Sequence, residues 1–321
     1  MRGPLISGTA ARVLPAAMAA GSLAAVLATA GPAAAAGVST AARGAAAGPQ
    51  VLCTSEQPGL ADRLSKDVAA ALSGRQSTTA AALYDRRTGT RCTLAADRSF
   101  DSASVVKVAV LGALLRQAME EQRVFTPREL ELTHAMITTS DNDATSALWR
   151  QIGTAGIERF LRLAGMDSTV PGTDGKWGLT RTTAGDQLKL LELLTASNPV
   201  LDEQARAYAL DLMNQVVPGQ RWGVPAGAPG TATIAVKNGW LPRSTHAWRV
   251  HSMGAFTGRG HDYGIVVLSQ DSRTMNYGIE TIQGAARAIH QDLTPASPAA
   301  GRYVPTVPLR TPAPPVAPDG P

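Results

Sequence analysis

The chain has 321 residues, 44% of them hydrophobic, 17% charged and only 4% aromatic. Its 30 basic and 25 acidic residues leave a formal net charge of +5, spread along the sequence, which argues against nucleic acid or a membrane surface as a partner. Two cysteines without a histidine cluster beside them argue against a metal site.

Residues 1–36 carry Arg2 and Arg12, no acidic residue, and a small-apolar run that ends in an A-x-A pattern before Gly37. That composition predicts a secretory signal peptide. The run is long enough to raise a membrane anchor as the alternative, but its alanine content, Pro15, Pro32 and the cleavage-like end favour removal. No lipidation cysteine or twin arginine accompanies it. Losing Arg2 and Arg12 lowers the charge to about +3, and the expected product is secreted, without stable membrane insertion. Residues 37–49 read as a flexible linker, and residues 50–293 as one globular domain, large enough for a single core.

Within that domain "LADRLSKDVAAAL" has helical periodicity, and "TTAAALYDRRTGTRCTLAADRSF" predicts two strands around an Arg-Arg-Thr-Gly turn. A buried helix follows from Ser102, then a series of helical stretches separated by Gly, Pro and Asn: "PRELELTHAMITTS", "DATSALWRQIG", "GIERFLRLAG", "TTAGDQLKLLELLTAS" and "DEQARAYALDLMNQV". Three late strands, "TATIAVKNGW", "AWRVHSMGAFTG" and "DYGIVVLSQDS", precede a last helix. Strands at both ends with helices between them predict an α+β fold: an antiparallel sheet flanked by helices, with an inserted all-helical lobe. Residues 294–321 are Pro-rich without apolar periodicity and read as a disordered tail.

In an exported chain Cys53 and Cys92 are expected to form a disulfide, two buried thiols being the alternative. The bond would close a loop of about 40 residues, worth on the order of 4 kcal/mol in the chain-entropy model.

The chemistry begins in "DSASVVKVAVLGALL". Lys107 lies inside a stretch that otherwise reads as buried helix, three residues after Ser104, so the two share a face. Lysine is one of five in the chain against 25 arginines, and burial lowers a lysine's pKa. A neutral lysine beside a serine hydroxyl can take its proton and make it a nucleophile. Alone, Ser-x-x-Lys is weak, and a lysine reaching out to water is the ordinary reading. Further on, "TTSDNDA" places Ser140, Asp141 and Asn142 at a junction between helices, where an N-cap is the ordinary reading. "TIAVKNGWL" places Lys237, Asn238 and Gly239 at the end of an apolar strand, where a turn is.

The three motifs occur once each, in the order Ser-x-x-Lys, Ser-Asp-Asn, Lys-x-Gly, and together are far more specific than any one. In this the sequence resembles the serine β-lactamase and penicillin-binding protein superfamily, most closely class A β-lactamases, over roughly residues 78–293. The resemblance implies a β-lactamase/transpeptidase-like fold and a monomer that uses no cofactor or metal and acts on a small β-lactam or peptidoglycan-like substrate. It implies Ser104 as nucleophile, Lys107 as its base, Ser140 as proton relay and Asn142 as a group orienting substrate amide and Lys107. Lys237 would hold the pocket positive for a carboxylate, with Asn238 as a further donor to it. Gly239 would let substrate lie against the strand, and the N–H groups of Ser104 and Trp240 would form the oxyanion hole.

The sequence also departs from the family. Class A enzymes carry a Glu-x-x-Leu-Asn loop whose glutamate activates the deacylating water. The corresponding stretch here, "GMDSTVPGTDGKWGLTRTTAGD", has no glutamate, and Asp167 and Asp174 are its only carboxylates before Asp186. Losing a positioned general base costs about 10² to 10⁴ in rate, so slow deacylation is expected. Ser104 and Ser140 are closer in sequence than in class A enzymes, the residue after Lys237 is Asn238 rather than Thr or Ser, and Trp240 is bulky beside the expected oxyanion position. Among weaker signals, His251 and Ser252 are strand neighbours on opposite faces and cannot act as a pair. His134 reads as helix surface, and Trp177, Trp222 and Trp248 read as core, with cleft lining as the alternative.

Overall fold

A computed structural model describes residues 50–295 and 301–306; the expected signal peptide, linker and most of the Pro-rich tail lie outside the described residues. The chain enters through a short strand β1 (Leu52–Thr54) and helix α1 (Leu60–Leu72). α1 buries Leu60, Leu64, Val68 and Leu72, one stripe at four-residue spacing. The hairpin β2 (Thr78–Asp85) and β3 (Thr90–Leu94) follows as expected. Its turn is fixed by Asp85, whose carboxylate accepts from Arg87 N (3.0 Å) and Thr88 Oγ1 (2.7 Å), and by Gly89 at φ 58°. β1 pairs with β3 so that Cys53 faces Cys92, and the two are joined in a disulfide.

The three late strands are β6 (Thr233–Pro242), β7 (Trp248–Gly258) and β8 (His261–Ser272). Together with the first three they form one six-stranded sheet in the order β1-β3-β2-β8-β7-β6, antiparallel at every pairing. The first and last thirds of the domain thus meet at β2–β8, and β6 is left as an edge. The final helix α7 (Met275–Leu293) packs with α1 and against β7 and β8, while α5 (Ala184–Thr195) packs on β2 and β8.

A second pair of strands, β4 (Ser99–Asp101) and β5 (Arg181–Thr183), was not foreseen. Between them runs the helical insertion. α2 (Val106–Glu120) is apolar nearly all round and buried between α4 (Asn142–Leu163) and α6 (Glu203–Asn214). α3 (Pro127–His134) starts on a Thr126/Glu129 capping box. α4 bends at Gly153 (φ 72°, ψ 158°), where two helical stretches were expected.

The tail expectation needs one amendment. Gly301–Tyr303 lie on the domain, with Tyr303 N donating to Ala228 O (2.8 Å) and Gly227 N to Tyr303 O (2.9 Å). Pro229 and Arg302 form an isolated antiparallel bridge.

Candidate active site

After Asp101 the backbone turns sharply. Ser102 N donates to Thr180 O (2.8 Å), Ala103 takes φ 47°, and Ala103–Val105 make a 3₁₀ turn that feeds α2. Ser104 therefore stands on this turn, with Lys107 in the first turn of α2. Among the described residues no hydrogen-bond partner holds the buried Ser104 Oγ. Lys107 is fully buried. Its Nζ lies 2.6 Å from Ser140 O, 2.9 Å from Asn142 Oδ1, 3.1 Å from Ser140 Oγ and 3.3 Å from Asp141 O. The three carbonyl oxygens only accept, so each bond to them is donated by Nζ. Burial first, then the neighbouring Lys237, push the Lys107 amine well below the usual lysine range, against a smaller opposite pull from Asp141.

Ser140 reaches this position through an irregularity. Residues Ala135–Thr139 form a π-helical turn rather than continuing α3, and Ser140 follows in the left-handed region (φ 61°, ψ 36°), a conformation uncommon for a residue with a side chain. Asp141 then caps α4 by accepting from Ala144 N (2.7 Å). The reversal brings both oxygens of Ser140 and the amide of Asn142 onto Lys107. From the edge strand β6, Lys237 Nζ comes within 2.9 Å of Ser140 Oγ and 3.1 Å of Asn238 O. Lys237 is fully buried, and burial lowers its pKa to about 7. One hydroxyl is thus held between two buried amines.

One expectation about β6 is corrected. Asn238 does not face the cluster: its amide donates to Gln220 O (2.7 Å) and Trp222 O (2.9 Å). Both its N–H groups are committed to the loop beside the strand, so Asn238 is an anchor and not a donor for a substrate carboxylate. At Gly239 the fold itself also requires a glycine. A Cβ there would lie 2.8 Å from Ser104 N and 3.1 Å from Ser102 O, so the edge strand presses directly on the nucleophile turn. Trp240 follows, buried, its ring centroid 6.0 Å from that of Trp222.

The region of the absent glutamate holds an indole. Trp177 sits with its ring centroid 4.8 Å from Lys107 Nζ and donates through Nε1 to Ser146 Oγ (3.1 Å). Asp167 and Asp174 are exposed, and neither approaches Lys107. Spacing along the chain gave no sign of this contact, because Trp177 and Lys107 meet only through the fold. Also unforeseen is a charge cluster just before the Ser104 turn: Asp101 takes Arg181 on Oδ1 (2.9 Å) and Arg249 on Oδ2 (3.0 Å), with Arg243 at 3.6 Å.

His251 and Ser252 have separate partners, as their alternation implies. His251 Nδ1 accepts from Ser269 N (3.2 Å), so its Nε2 donates to Asp101 O (2.8 Å); burial lowers its pKa to about 4. Ser252 Oγ accepts from Val224 N (2.9 Å). His134 is exposed, Trp222 is core and Trp248 is half-buried. Among the described residues there is no cluster of three or more metal-ligating side chains, and no helix long and apolar enough to cross a membrane.

A family model described as the beta-lactamase enzyme family matches residues 63–129 and 126–293, well over half of the chain. The chain belongs to the beta-lactamase enzyme family. A Mycobacterium tuberculosis protein named "Putative lipoprotein LppW" is 29% identical over 199 residues, which cover 60% of this chain. The match spans 62% of that relative's length. Among solved structures, the extended-spectrum β-lactamase TLA-1 superposes with a TM-score of 0.64 at 16% identity, over 72% of this chain and 98% of its own. PBP-A gives 0.63 at 21%, over 73% and 96%. At these identities the likeness is one of fold: the α+β arrangement of a class A β-lactamase.

Proposed function

We propose that this member of the beta-lactamase enzyme family is an exported serine hydrolase that is acylated on Ser104 by a β-lactam or a related amide or ester. The observation that carries the reading is Ser140 Oγ, 3.1 Å from Lys107 Nζ and 2.9 Å from Lys237 Nζ. Lys107, kept basic by burial, takes the Ser104 proton as Oγ attacks the carbonyl carbon. The proton passes through Ser140 to the leaving nitrogen, and the C–N bond breaks. Asn142 holds Lys107 in place, and Lys237 supplies positive charge for a substrate carboxylate. Gly239 seats β6 against the Ser104 turn, which sets the backbone donors of Ser104 and Trp240 for the oxyanion; each is worth about 3 kcal/mol in comparable sites.

Turnover is slow in this account, because the Lys107 amine has no carboxylate among its hydrogen-bond partners. The same observation favours a second reading, in which the protein binds β-lactams or peptidoglycan-like peptides by acylating once and staying blocked. A D,D-peptidase or esterase acting on cell-wall compounds fits the same residues. The disulfide is consistent with an oxidising compartment outside the cytoplasm. Both cysteines of the chain are used in it, so neither is free to carry a lipid. We take release after signal cleavage, rather than the anchoring that the name of the mycobacterial relative suggests, as part of the proposal.

The test is intact mass of the mature protein over time with a penicillin and a chromogenic cephalosporin, with Ser104→Ala as control. The proposal expects an adduct of one equivalent on wild type and none on the variant. Labelling that survives Ser104→Ala contradicts the nucleophile assignment. Rapid colour change without accumulating adduct contradicts slow deacylation alone.

A further inference from the structure

An acyl group on Ser104 is released when a water oxygen adds to the ester carbon, the C–Oγ bond breaks and a proton returns to Oγ. A base must hold that water, and in the reading above that base is Lys107, three residues after Ser104. The surroundings of its amine are filled. Ser140 O, Ser140 Oγ, Asn142 Oδ1 and Asp141 O lie within 3.3 Å on one side. The indole of Trp177 closes another, its centroid 4.8 Å away.

The indole is held in place. It is 4% exposed, and Nε1 is bonded to Ser146 on α4. The turn that carries it is tight: Asp174 (φ 53°) and Gly175 (φ 72°) are both left-handed, and a Cβ on Gly172 would lie 2.2 Å from Lys176 O. Thr180, at the end of the same turn, donates to Trp177 O (3.1 Å) and accepts from Ser102 N, two residues before the nucleophile. The indole and the nucleophile turn are therefore parts of one hydrogen-bonded unit.

We propose that Trp177 sets the lifetime of the acyl-enzyme: its ring fills the space beside Lys107 that a hydrolytic water would need, so Ser104 can be acylated while its ester is shielded. The inference rests on the acyl-serine reading above. Trp177 is argued to act through Lys107, so it is a positioning residue. Its signature is a split between two rate constants, with deacylation quickened while acylation is not.

The experiment acylates wild type, Trp177→Phe and Trp177→Ala with a penicillin, removes the excess, and follows loss of the adduct by intact mass. Acylation within about threefold of wild type is expected in Trp177→Phe; Trp177→Ala opens the Lys107 amine to water and acylates more slowly, so the test reads only the decay of adduct already formed. Adduct loss is expected to quicken at least tenfold in Trp177→Ala and to stay within threefold in Trp177→Phe, which restores the ring. A Trp177→Ala adduct that decays at the wild-type rate overturns the proposal, as does equal acceleration in both variants. Should Trp177→Ala not fold, Trp177→Leu takes its place; its narrower side chain is expected to quicken decay at least threefold, and an unchanged decay overturns the proposal. Failure of all forms, wild type included, to acylate sinks the acyl-serine reading and is told apart by the absence of any adduct.

Discussion

Glu129 and Lys107 are both buried in the helical part of the molecule, and their surroundings treat charge in opposite ways. Glu129 accepts from Arg123 on both oxygens (2.9 and 3.0 Å), from Thr126 N (2.8 Å) and from Gln151 Nε2 (2.6 Å). Burial alone would raise its pKa, but these donors outweigh burial and bring it to about 2. Lys107 meets neutral oxygens, an aromatic face and the charge of a second lysine, against only a smaller pull from Asp141, so burial prevails and the amine is driven toward its uncharged form. One pocket stabilises an ion and so the fold; the other gives up stability to hold an amine uncharged, which is what the proposed base requires.

Replacing the base should have the largest effect. Lys107→Met removes the amine but keeps the volume, and acylation of Ser104 is expected to fall by about 10² to 10⁴ in stopped-flow or quenched mass measurements. Its Tm is expected not to fall, since burying a lysine amine is itself costly. Gly239→Ala comes next. The methyl would push β6 off the Ser104 turn, and a displacement of this kind costs about 10² in acylation together with about 1–3 kcal/mol of stability from overpacking.

Glu129→Gln has the smallest effect at the site and a clear effect on the fold. Breaking a well-buried pair costs about 3–5 kcal/mol. Here Arg123 is 30% exposed, so about 2 kcal/mol is expected by urea unfolding, with acylation unchanged. The sign follows from the depressed carboxyl pKa. The Glu129 contribution is complete above its unfolded value, about 4.3, and is lost as pH falls through about 2. The variant should lose that part of the acid dependence.

These contrasts also bear on what the sequence could reveal. Periodicity was enough for α1, with its single buried stripe, and for the alternating β3; β2 and the three late strands read as apolar runs, buried on both faces, between clear turn residues. The motif order singled out Lys107, Ser140, Asn142 and Lys237, which the fold links by hydrogen bonds, and Ser104, which stands on the turn leading into α2. The π-turn before Ser140 was not legible, since "AMITT" carries an ordinary helical pattern and its irregularity arises from packing. Nor was the turn of Asn238 toward Gln220 and Trp222, which is decided by which face of an edge strand meets a loop. Trp177 on Lys107 and Arg181, Arg243 and Arg249 on Asp101 join segments far apart in the chain, and nothing local in the sequence encodes such meetings.

The most direct test of two buried lysines working on one serine is the pH dependence of acylation by a carboxylate-bearing penicillin, in wild type and Lys237→Arg. Loss of a proton from Lys107 makes it a base, so the rate should rise with pH on the acid side. Loss of a proton from Lys237 removes the charge that holds the substrate carboxylate, so the rate should fall again about pH 7. In Lys237→Arg, whose guanidinium stays charged, the falling limb should disappear. A wild-type rate that keeps climbing through pH 9, or a falling limb that survives in Lys237→Arg, would contradict the account.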